Sequence, residues 1–164
     1  MGQSLLRAVR AALPDDTIVL TGNDWGSVAG LLALSPVADG NVVYSFHFYE
    51  PAELTALAAY RPGLDRAALA RLPFPVAQPA CEALAAGTSA ATAGLIRFYC
   101  ALHWDALRVA GRIAAAAAWG RRNHAAVLLG EFGATAALSA PARIPWLRAV
   151  REACDHNGVG WAGR

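Results

Sequence analysis

Lysine is absent from this sequence, and charge of either sign is scarce, since Asp, Glu, Lys and Arg make up only 16% of its 164 residues. The 14 basic residues are therefore all arginine, and together with 12 acidic residues they leave a formal net charge of +2. No run of basic residues interleaves with aromatic residues, as a nucleic-acid surface would require. We therefore expect no nucleic-acid partner.

Cysteine is also rare. The sequence has three, Cys81, Cys100 and Cys154, and an odd number of cysteines cannot pair completely. None of them lies in a CxxC or other metal-ligand spacing, so we interpret all three as small buried hydrophobic residues. The sequence accordingly predicts neither a metal site nor an organic cofactor.

Long apolar runs are missing as well. The longest alanine-rich tract, residues 113–119, is too short to span a bilayer and is closed by a glycine and two arginines. Residues 1–13 alternate apolar and charged positions at helical spacing, without the continuous apolar stretch and cleavage site of a signal peptide. We expect no membrane partner, and the sequence leaves the localisation of the chain open.

Apolar residues are abundant, at 56% of the chain, and can bury a sizeable core. Four short runs rich in β-branched or apolar residues predict buried parallel strands at 17–21, 42–48, 126–132 and 158–162. Apolar residues at helical spacing predict one helix before the first strand, at 4–13, and two helices between later strands, at 92–122 and 140–157. This alternation predicts an α/β fold.

In the helix predicted at 140–157, four apolar residues share one face that we expect to be buried: Ile144, Leu147, Val150 and Cys154. The region at about 51–92 is rich in proline and small residues. We expect it to be an excursion of loops and helices above the strand ends, within one domain.

Two architectures fit this pattern. A doubly wound sheet of four strands would be complete at this length, but it usually carries a glycine-rich ligand loop after its first strand. The segment GNDWGS at 22–27 matches neither the dinucleotide motif nor the P-loop. The other architecture is half of a (β/α)8 barrel, because a whole barrel needs roughly 250 residues.

The end of the second predicted strand carries candidate site residues, because catalytic groups of barrels lie at the carboxyl ends of strands. Side chains alternate along a strand, so His47 and Tyr49 point to one side and Phe46 and Phe48 to the other. We expect the polar pair to face the site and the aromatic pair to face the helices. Taken alone, His47 is also compatible with a hydrogen-bonded core residue and Tyr49 with packing at the rim.

The third predicted strand ends in a carboxylate. Glu131 follows an apolar run and lies between Gly130 and Gly133, whose lack of side chains lets other groups approach closely. A carboxylate in this position could attack or bind a substrate. Spacing alone leaves a solvated acid at the strand end, or a partner of a helix cap, as an equal alternative.

Longer motifs around these residues resemble glycoside hydrolase family 5, the cellulase family. VVYSFHFYEP resembles the sixth-strand region of that family, whose His-x-Tyr pair falls on His47 and Tyr49. VLLGEFG resembles the seventh-strand motif, whose glutamate falls on Glu131. The similarity extends over nearly the whole chain, through AYRPGLDRAALARLPFP, WDALRVAGRIAAAAAWGRR and IPWLRAVREACDHNGVGW. It implies that residues 1–164 form a partial TIM barrel, about the last four strand-helix units, strands five to eight.

The resemblance also implies an activity. Family members hydrolyse β-linked glucans with retention, using two glutamates roughly 5 Å apart. Glu131 would be the nucleophile, Tyr49 would hydrogen-bond its carboxylate and keep it ionised, and His47 would hold a sugar hydroxyl. Trp25 could stack on a sugar ring, or it could be a core aromatic residue at a helix entry. The partner would be a β-glucan or oligosaccharide, and the parent enzyme would be secreted or periplasmic.

The sequence departs from the family at the second catalytic residue. The acid/base glutamate of the family lies in an Asn-Glu pair at the end of the fourth strand, and no Asn-Glu dipeptide occurs here. Glu50 is a poor substitute, because it has the opposite parity from His47 and Tyr49 and Pro51 fixes the turn behind it. We therefore expect this chain alone to be inactive.

A non-catalytic role is the alternative: a carbohydrate-binding module made from a partial barrel, or a stand-alone α/β domain. In half a barrel, the first and last strands would be sheet edges with unpaired backbone groups. Because the chain has no lysine to discourage pairing there, we expect it to self-associate through these edges.

Overall fold

A computed structural model describes residues 2–162 and contains one four-stranded sheet in the order β1, β2, β3, β4. All neighbouring strands are parallel. The strands are β1 (Ile18–Thr21), β2 (Val42–Phe48), β3 (Ala126–Phe132) and β4 (Gly160–Trp161). The two central strands have the predicted bounds. The last strand is shorter than predicted because Gly158, in the left-handed conformation at a φ of 64°, still closes the preceding helix.

Helices connect and cover the strands. They are α1 (Gly2–Ala12), α2 (Asn23–Gly26), α3 (Val28–Leu32), α4 (Ala52–Thr55), α5 (Arg66–Leu69), α6 (Gln78–Ala86), α7 (Ala90–Ala101), α8 (Ala106–Arg122) and α9 (Ala140–Asn157). Five of them, α4 to α8, lie in the long connection between β2 and β3. Between residues 2 and 162, no helix has the length and apolar character needed to cross a membrane.

The order of the strands decides between the two predicted architectures. Right-handed crossovers between strands that follow one another in the sheet place their helices on the same face. Accordingly, α3 packs against α8, and α8 packs against α9. A doubly wound sheet would instead reverse its strand order and carry helices on both faces. The chain therefore forms part of a (β/α)8 barrel, as the resemblance implies.

The helix layer and the sheet bury the aromatic residues of β2. Phe46 and Phe48 are fully buried, and the ring of Phe48 stacks on Trp146 of α9 with 5.9 Å between centroids. Tyr44 meets Trp119 of α8 edge to face at 4.9 Å. His47 has the opposite parity and lies on the other face of the sheet, as predicted from the alternation.

The predicted helix at 92–122 is two helices. Residues 102–105 separate α7 from α8: His103 has a positive φ of 50°, and the Asp105 side chain accepts a hydrogen bond from the Arg108 backbone at 2.8 Å. Asp105 is thus the N-cap of α8. The apolar periodicity hides this break, because both helices bury apolar residues and the interruption is only four residues long.

The predicted buried face of α9 is wrong at its first residue. Ile144 is 52% exposed, whereas Val150 and Cys154 are fully buried. The buried stripe is instead set by the large side chain of Trp146, and alanines fill the rest of it: Ala142, Ala149 and Ala153. Alanine has a small side chain and carries only a weak apolar signal, so these positions did not reveal the stripe in the sequence.

The interpretation of all three cysteines as unpaired hydrophobic residues is also wrong. Cys81 of α6 and Cys100 of α7 form a disulfide, because the two helices pack against each other and bring buried residues 19 positions apart into contact. Cys154 alone matches the prediction as a buried free cysteine. Burial, together with the charge of Asp155, raises the pKa of the Cys154 thiol to about 12, so this thiol is unreactive at neutral pH.

The sheet face opposite the helices is open, and β1 is one of the two outer strands of the described sheet. Val19 on β1 is 56% exposed, and Thr21 on the same face is also exposed. In the described sheet, β1 and β4 each have one strand neighbour. Their outer backbone groups are therefore available for pairing.

Candidate active site

Glu131 and Tyr49 meet at the carboxyl edge of the sheet. The strands β2 and β3 are neighbours, and the hydroxyl of Tyr49 donates a hydrogen bond to Oε2 of Glu131 at 3.1 Å. The two residues are 82 positions apart in sequence. Both side chains are half-buried, so the carboxylate is held by a protein donor and still reachable by a ligand.

A register irregularity places Glu131 in this position. Phe46 pairs with Leu129, but the next residue, His47, pairs with Glu131, so Gly130 is an extra residue in β3. A side chain at Gly130 would clash with Ser45, whose Oγ lies 2.3 Å from the position of a Cβ. Any side chain at this position would force the Ser45 hydroxyl to move, which agrees with the close approach expected at this position.

His47 is tied to the loop that follows β1. Its Nδ1 lies 3.0 Å from the backbone carbonyl oxygen of Trp25. A carbonyl oxygen only accepts hydrogen bonds, so Nδ1 carries a proton in this contact. In the neutral imidazole, Nε2 is then left as an acceptor on the open face.

Trp25 stands out from the protein surface. Its side chain is 95% exposed, which excludes the core position considered as its alternative. Asp24, Trp25 and Gly26 all have positive φ angles, 53°, 56° and 72°. The Ser27 hydroxyl donates to the Asp24 carboxylate at 2.8 Å and supports the turn. A conformation of this kind is costly for residues other than glycine, and such turns cluster at functional sites.

Glu50 does not reach the site. It lies on the side of the strand that faces the helices, as its parity predicts, and forms an ion pair with Arg112 of α8 at 2.6 Å. Its backbone carbonyl accepts a hydrogen bond from Trp146 Nε1 at 3.0 Å. No local sequence pattern predicts these two partners, which lie 62 and 96 positions later in the chain.

A groove of about 420 Å³ lies beside Tyr49. It is lined by small residues from the connections after β2 and β3: Thr55, Ala56, Ala59, Gly133, Ala134 and Thr135. The backbone N–H of Thr135 donates to the Thr55 carbonyl at 2.8 Å and joins the two connections. The groove thus continues the open face of the sheet past the Tyr49–Glu131 hydrogen bond.

Larger hollows of about 510 and 550 Å³ lie elsewhere, one between α5 and α6 and one at the opposite end of the strands. Neither contains Glu131, Tyr49, His47 or Trp25. Across residues 2–162, no group of three or more His, Cys, Asp or Glu side chains is arranged to hold a metal ion.

The fold and the strand-end carboxylate define a class of protein. Part of a parallel (β/α)8 barrel, with a carboxylate at the carboxyl end of a strand, is the arrangement of a barrel enzyme, whose active site lies at that edge. A family model agrees: that of "Cellulase (glycosyl hydrolase family 5)" matches residues 1–163. The chain belongs to this family.

The similar proteins include two that are named as endoglucanases. The chain is 27% identical over 167 residues to Endoglucanase 3 of Fibrobacter succinogenes, an alignment that covers 97% of this chain and 25% of that protein. Its fold resembles the cellulose synthase subunit Z of Clostridioides difficile, with a TM-score of 0.67 at 22% identity, covering 96% of this chain and 44% of that one. It also resembles a hyperthermophilic endo-beta-1,4-glucanase solved with substrate, with a TM-score of 0.67 at 18% identity, covering 96% and 42%.

The chain thus spans about a quarter of the curated relative and less than half of these solved structures. This coverage fits the partial barrel seen in the sheet.

Proposed function

We propose that this chain is the C-terminal half of a retaining glycoside hydrolase that cleaves β-linked glucans internally, with Glu131 as the nucleophile. Its four strands would be strands five to eight of the barrel, and residues 51–92 would form an excursion above them. The observation that carries the proposal is the hydrogen bond from Tyr49 to Glu131 at 3.1 Å. It provides an oriented carboxylate at the edge of the sheet where barrel enzymes bind substrate.

The substrate class is supported by the side chains around this carboxylate. Trp25 offers an exposed aromatic surface for the apolar face of a sugar ring. His47 offers an acceptor, Nε2, to a sugar hydroxyl, since Nδ1 is engaged by the Trp25 carbonyl. The relatives named as endoglucanases make a β-glucan the first substrate to test.

We propose further that this chain alone does not hydrolyse glycosides. A retaining enzyme needs a second carboxyl group to protonate the leaving group. Glu50, the acid next to the site in sequence, is held by Arg112 on the helix side of the strand. Loss of general acid catalysis costs on the order of 10²- to 10⁴-fold in rate, and the half of the cleft that this chain lacks would cost more.

The disulfide indicates in which compartment the enzyme works. Cys81 and Cys100 are paired, and disulfides persist mainly in oxidising environments. We propose that the enzyme works outside the cytoplasm, as the family resemblance implies.

A hybrid barrel tests the activity. The four N-terminal strand-helix units of a family 5 endoglucanase are fused ahead of this chain, and hydrolysis of a soluble cellulose derivative is measured for the hybrid and for this chain alone. We expect turnover only in the hybrid, with retention at the anomeric carbon. A mechanism-based 2-fluoroglycoside should label Glu131.

The matched control in the hybrid is Glu131→Gln, which keeps the size of the side chain and should abolish both turnover and labelling. Glu82→Gln, at an exposed pair with Arg97, should change neither. Inversion of configuration, or a label on another residue, would refute the assignment of the nucleophile. Turnover by the isolated chain that disappears in Glu131→Gln would refute the claim that its site is incomplete.

A non-catalytic carbohydrate-binding role is the second candidate. It is favoured by one observation, the 95% exposure of Trp25, because a binding module needs a stacking surface and no acid/base pair. A hybrid that folds and binds cello-oligosaccharides through Trp25 but shows no turnover would favour this role.

A further inference from the structure

Glu50, the residue that follows Tyr49, is held through its side chain by Arg112 and through its backbone by Trp146. We propose that Glu50, Arg112 and Trp146 form a clamp that orients Tyr49 toward Glu131, which makes them positioning residues for the reaction. The inference rests on the proposed function, because it concerns how the hydrogen bond at the nucleophile is maintained. None of the three clamp residues contacts Glu131; they act through Tyr49.

The side chain of Glu50 is held by a two-point contact. Arg112 of α8 places Nε 2.6 Å from Oε2 and Nη2 2.7 Å from Oε1 of Glu50. The hydrogen bond with Glu50 raises the pKa of Arg112. A guanidinium fork that donates to both carboxylate oxygens fixes direction as well as distance. The side chain of Glu50 is therefore held toward the helix layer.

The backbone of Glu50 is held by a second helix. The indole Nε1 of Trp146, in α9, donates to the Glu50 carbonyl at 3.0 Å. Trp146 is fully buried and stacks on Phe48, with ring planes 14° apart. Because packing fixes the indole ring, its N–H fixes the peptide that follows Glu50.

The side chain of Tyr49 lies on the opposite side of the backbone from the side chain of Glu50. Consecutive side chains of an extended chain point to opposite sides, so holding Glu50 toward the helices holds Tyr49 toward Glu131. The hydroxyl of Thr55 in α4 adds a third restraint by donating to the Tyr49 carbonyl at 2.5 Å. Helices α4, α8 and α9 each contribute one contact to this dipeptide.

The charge of the clamp is better explained by orientation than by stability. The side chains of Arg112 and Glu50 are 34% and 28% exposed, and the desolvation of a half-buried ion pair offsets most of its attraction. An apolar pair of similar volume would hold α8 against β2 equally well. Such an apolar pair would lack the directional constraint that the Arg112 guanidinium places on the Glu50 carboxylate.

Fluorine NMR on this chain tests the clamp. Incorporation of 3-fluorotyrosine gives one resonance for each of the four tyrosines, and Tyr49→Phe identifies the resonance of Tyr49. Glu131→Gln then defines the position of that resonance when the carboxylate is lost. Arg112→Met removes the guanidinium and keeps an apolar side chain. In this variant we expect the Tyr49 resonance to broaden and to shift by at least half of the shift seen in Glu131→Gln.

The matched control is Arg97→Met, which removes an exposed ion pair with Glu82 and should leave the Tyr49 resonance in place. Trp146→Phe, which keeps an aromatic ring on Phe48 and removes the N–H, should move it as Arg112→Met does. If Arg112→Met does not fold, Arg112→Lys and Trp146→Phe provide the same test. A Tyr49 resonance that stays in place in folded clamp variants, shown by unchanged circular dichroism, would overturn the inference.

The swap of Glu50→Arg with Arg112→Glu provides the rescue. It should return the Tyr49 resonance toward its original position. If the single substitutions acted only by disturbing the packing, the double swap would not restore that position. In the hybrid barrel, the clamp variants should lower kcat roughly 10-fold, as loss of a hydrogen bond to a charged group does, with little change in KM. If the hybrid shows no turnover but its Tyr49 resonance still shifts in the clamp variants, the proposed function is refuted and the clamp is supported. A working hybrid whose resonance does not respond would refute the clamp alone.

Discussion

The Tyr49 hydroxyl and the Glu131 carboxylate lie 3.1 Å apart across the neighbouring strands β2 and β3. Each residue lies at the carboxyl end of its own strand, and the extra residue Gly130 brings Glu131 level with His47, two residues before Tyr49. The hydrogen bond gives the carboxylate a fixed donor within the protein. It also limits the directions in which that carboxylate can face a substrate.

Removal of this hydrogen bond should slow the hybrid enzyme. Tyr49→Phe keeps the ring and deletes the donor, and a hydrogen bond to a charged group is worth about 1.5–3 kcal/mol. We expect kcat/KM to fall roughly 10- to 100-fold, with the melting temperature almost unchanged. Tyr60→Phe, which deletes a hydroxyl bonded to Glu53, is the matched control and should retain activity. Full activity in Tyr49→Phe would show that the bond has no role in the reaction.

Trp25 should contribute to sugar binding and very little to stability. Its side chain is 95% exposed, and stacking of an aromatic ring is worth about 0.5–1.5 kcal/mol. In a Glu131→Gln hybrid, where turnover is blocked, Trp25→Ala should weaken binding of cello-oligosaccharides roughly 2- to 10-fold by calorimetry. Trp25→Phe should recover part of the loss. Leu13→Ala, at the opposite end of β1 and 46% exposed, should have no effect; equal losses at both positions would contradict a specific role.

The disulfide should stabilise the excursion above the strands. It closes a loop between positions 19 apart, for which the chain-entropy estimate is about 3 kcal/mol. We expect the double variant Cys81→Ala, Cys100→Ala to have a lower melting temperature and to be insensitive to reducing agents. In the denatured, unreduced protein, thiol titration should find one free cysteine, Cys154. Three free thiols would show that the pair does not form.

The open sheet should make the isolated chain associate. Edges β1 and β4 have unpaired outer backbone groups. At roughly 25 cal/mol per Å², a few hundred Å² of exposed apolar surface costs several kcal/mol, which is comparable to the stability of a small domain. Light scattering over a concentration series should therefore detect species larger than the 17.1 kDa monomer.

A lysine on the edge provides the control for this prediction. Val19→Lys, on β1, should shift the population toward monomer because edge lysines oppose strand pairing. Leu107→Lys, on α8 and 81% exposed, should not. A single monomeric species with a cooperative melt in the unmodified chain would show that four strands suffice, and the stand-alone domain would then be the better interpretation.

Much of the sheet could be read from the sequence. The strands at 42–48 and 126–132 are dense runs of apolar and β-branched residues, and such runs predict buried parallel strands whatever their surroundings. Alternation along β2 separated Phe46 and Phe48 from His47. Local rules were sufficient at these residues because each strand had only one way to bury its apolar side chains.

Contacts between distant residues could not be read in this way. The Cys81–Cys100 pair depends on how α6 and α7 pack, and the ion pair of Glu50 with Arg112 depends on the position of α8 over β2. The buried stripe of α9 depends on Trp146 packing on Phe48. Spacing within one helix carries no information about which neighbour it will meet.

The sequence by itself determined the α/β alternation, the strand-end positions of Glu131, His47 and Tyr49, and, through the motifs around them, the family. Only the tertiary structure decided that the four strands lie in chain order with their helices on one face, and that Trp25 projects into solvent. The family resemblance implied a hydrogen bond between Tyr49 and Glu131, but no local rule predicts it, and its geometry comes from the tertiary structure. The physical reason is that secondary structure follows from local periodicity, whereas strand order and hydrogen bonds across 82 residues follow from how the whole chain packs.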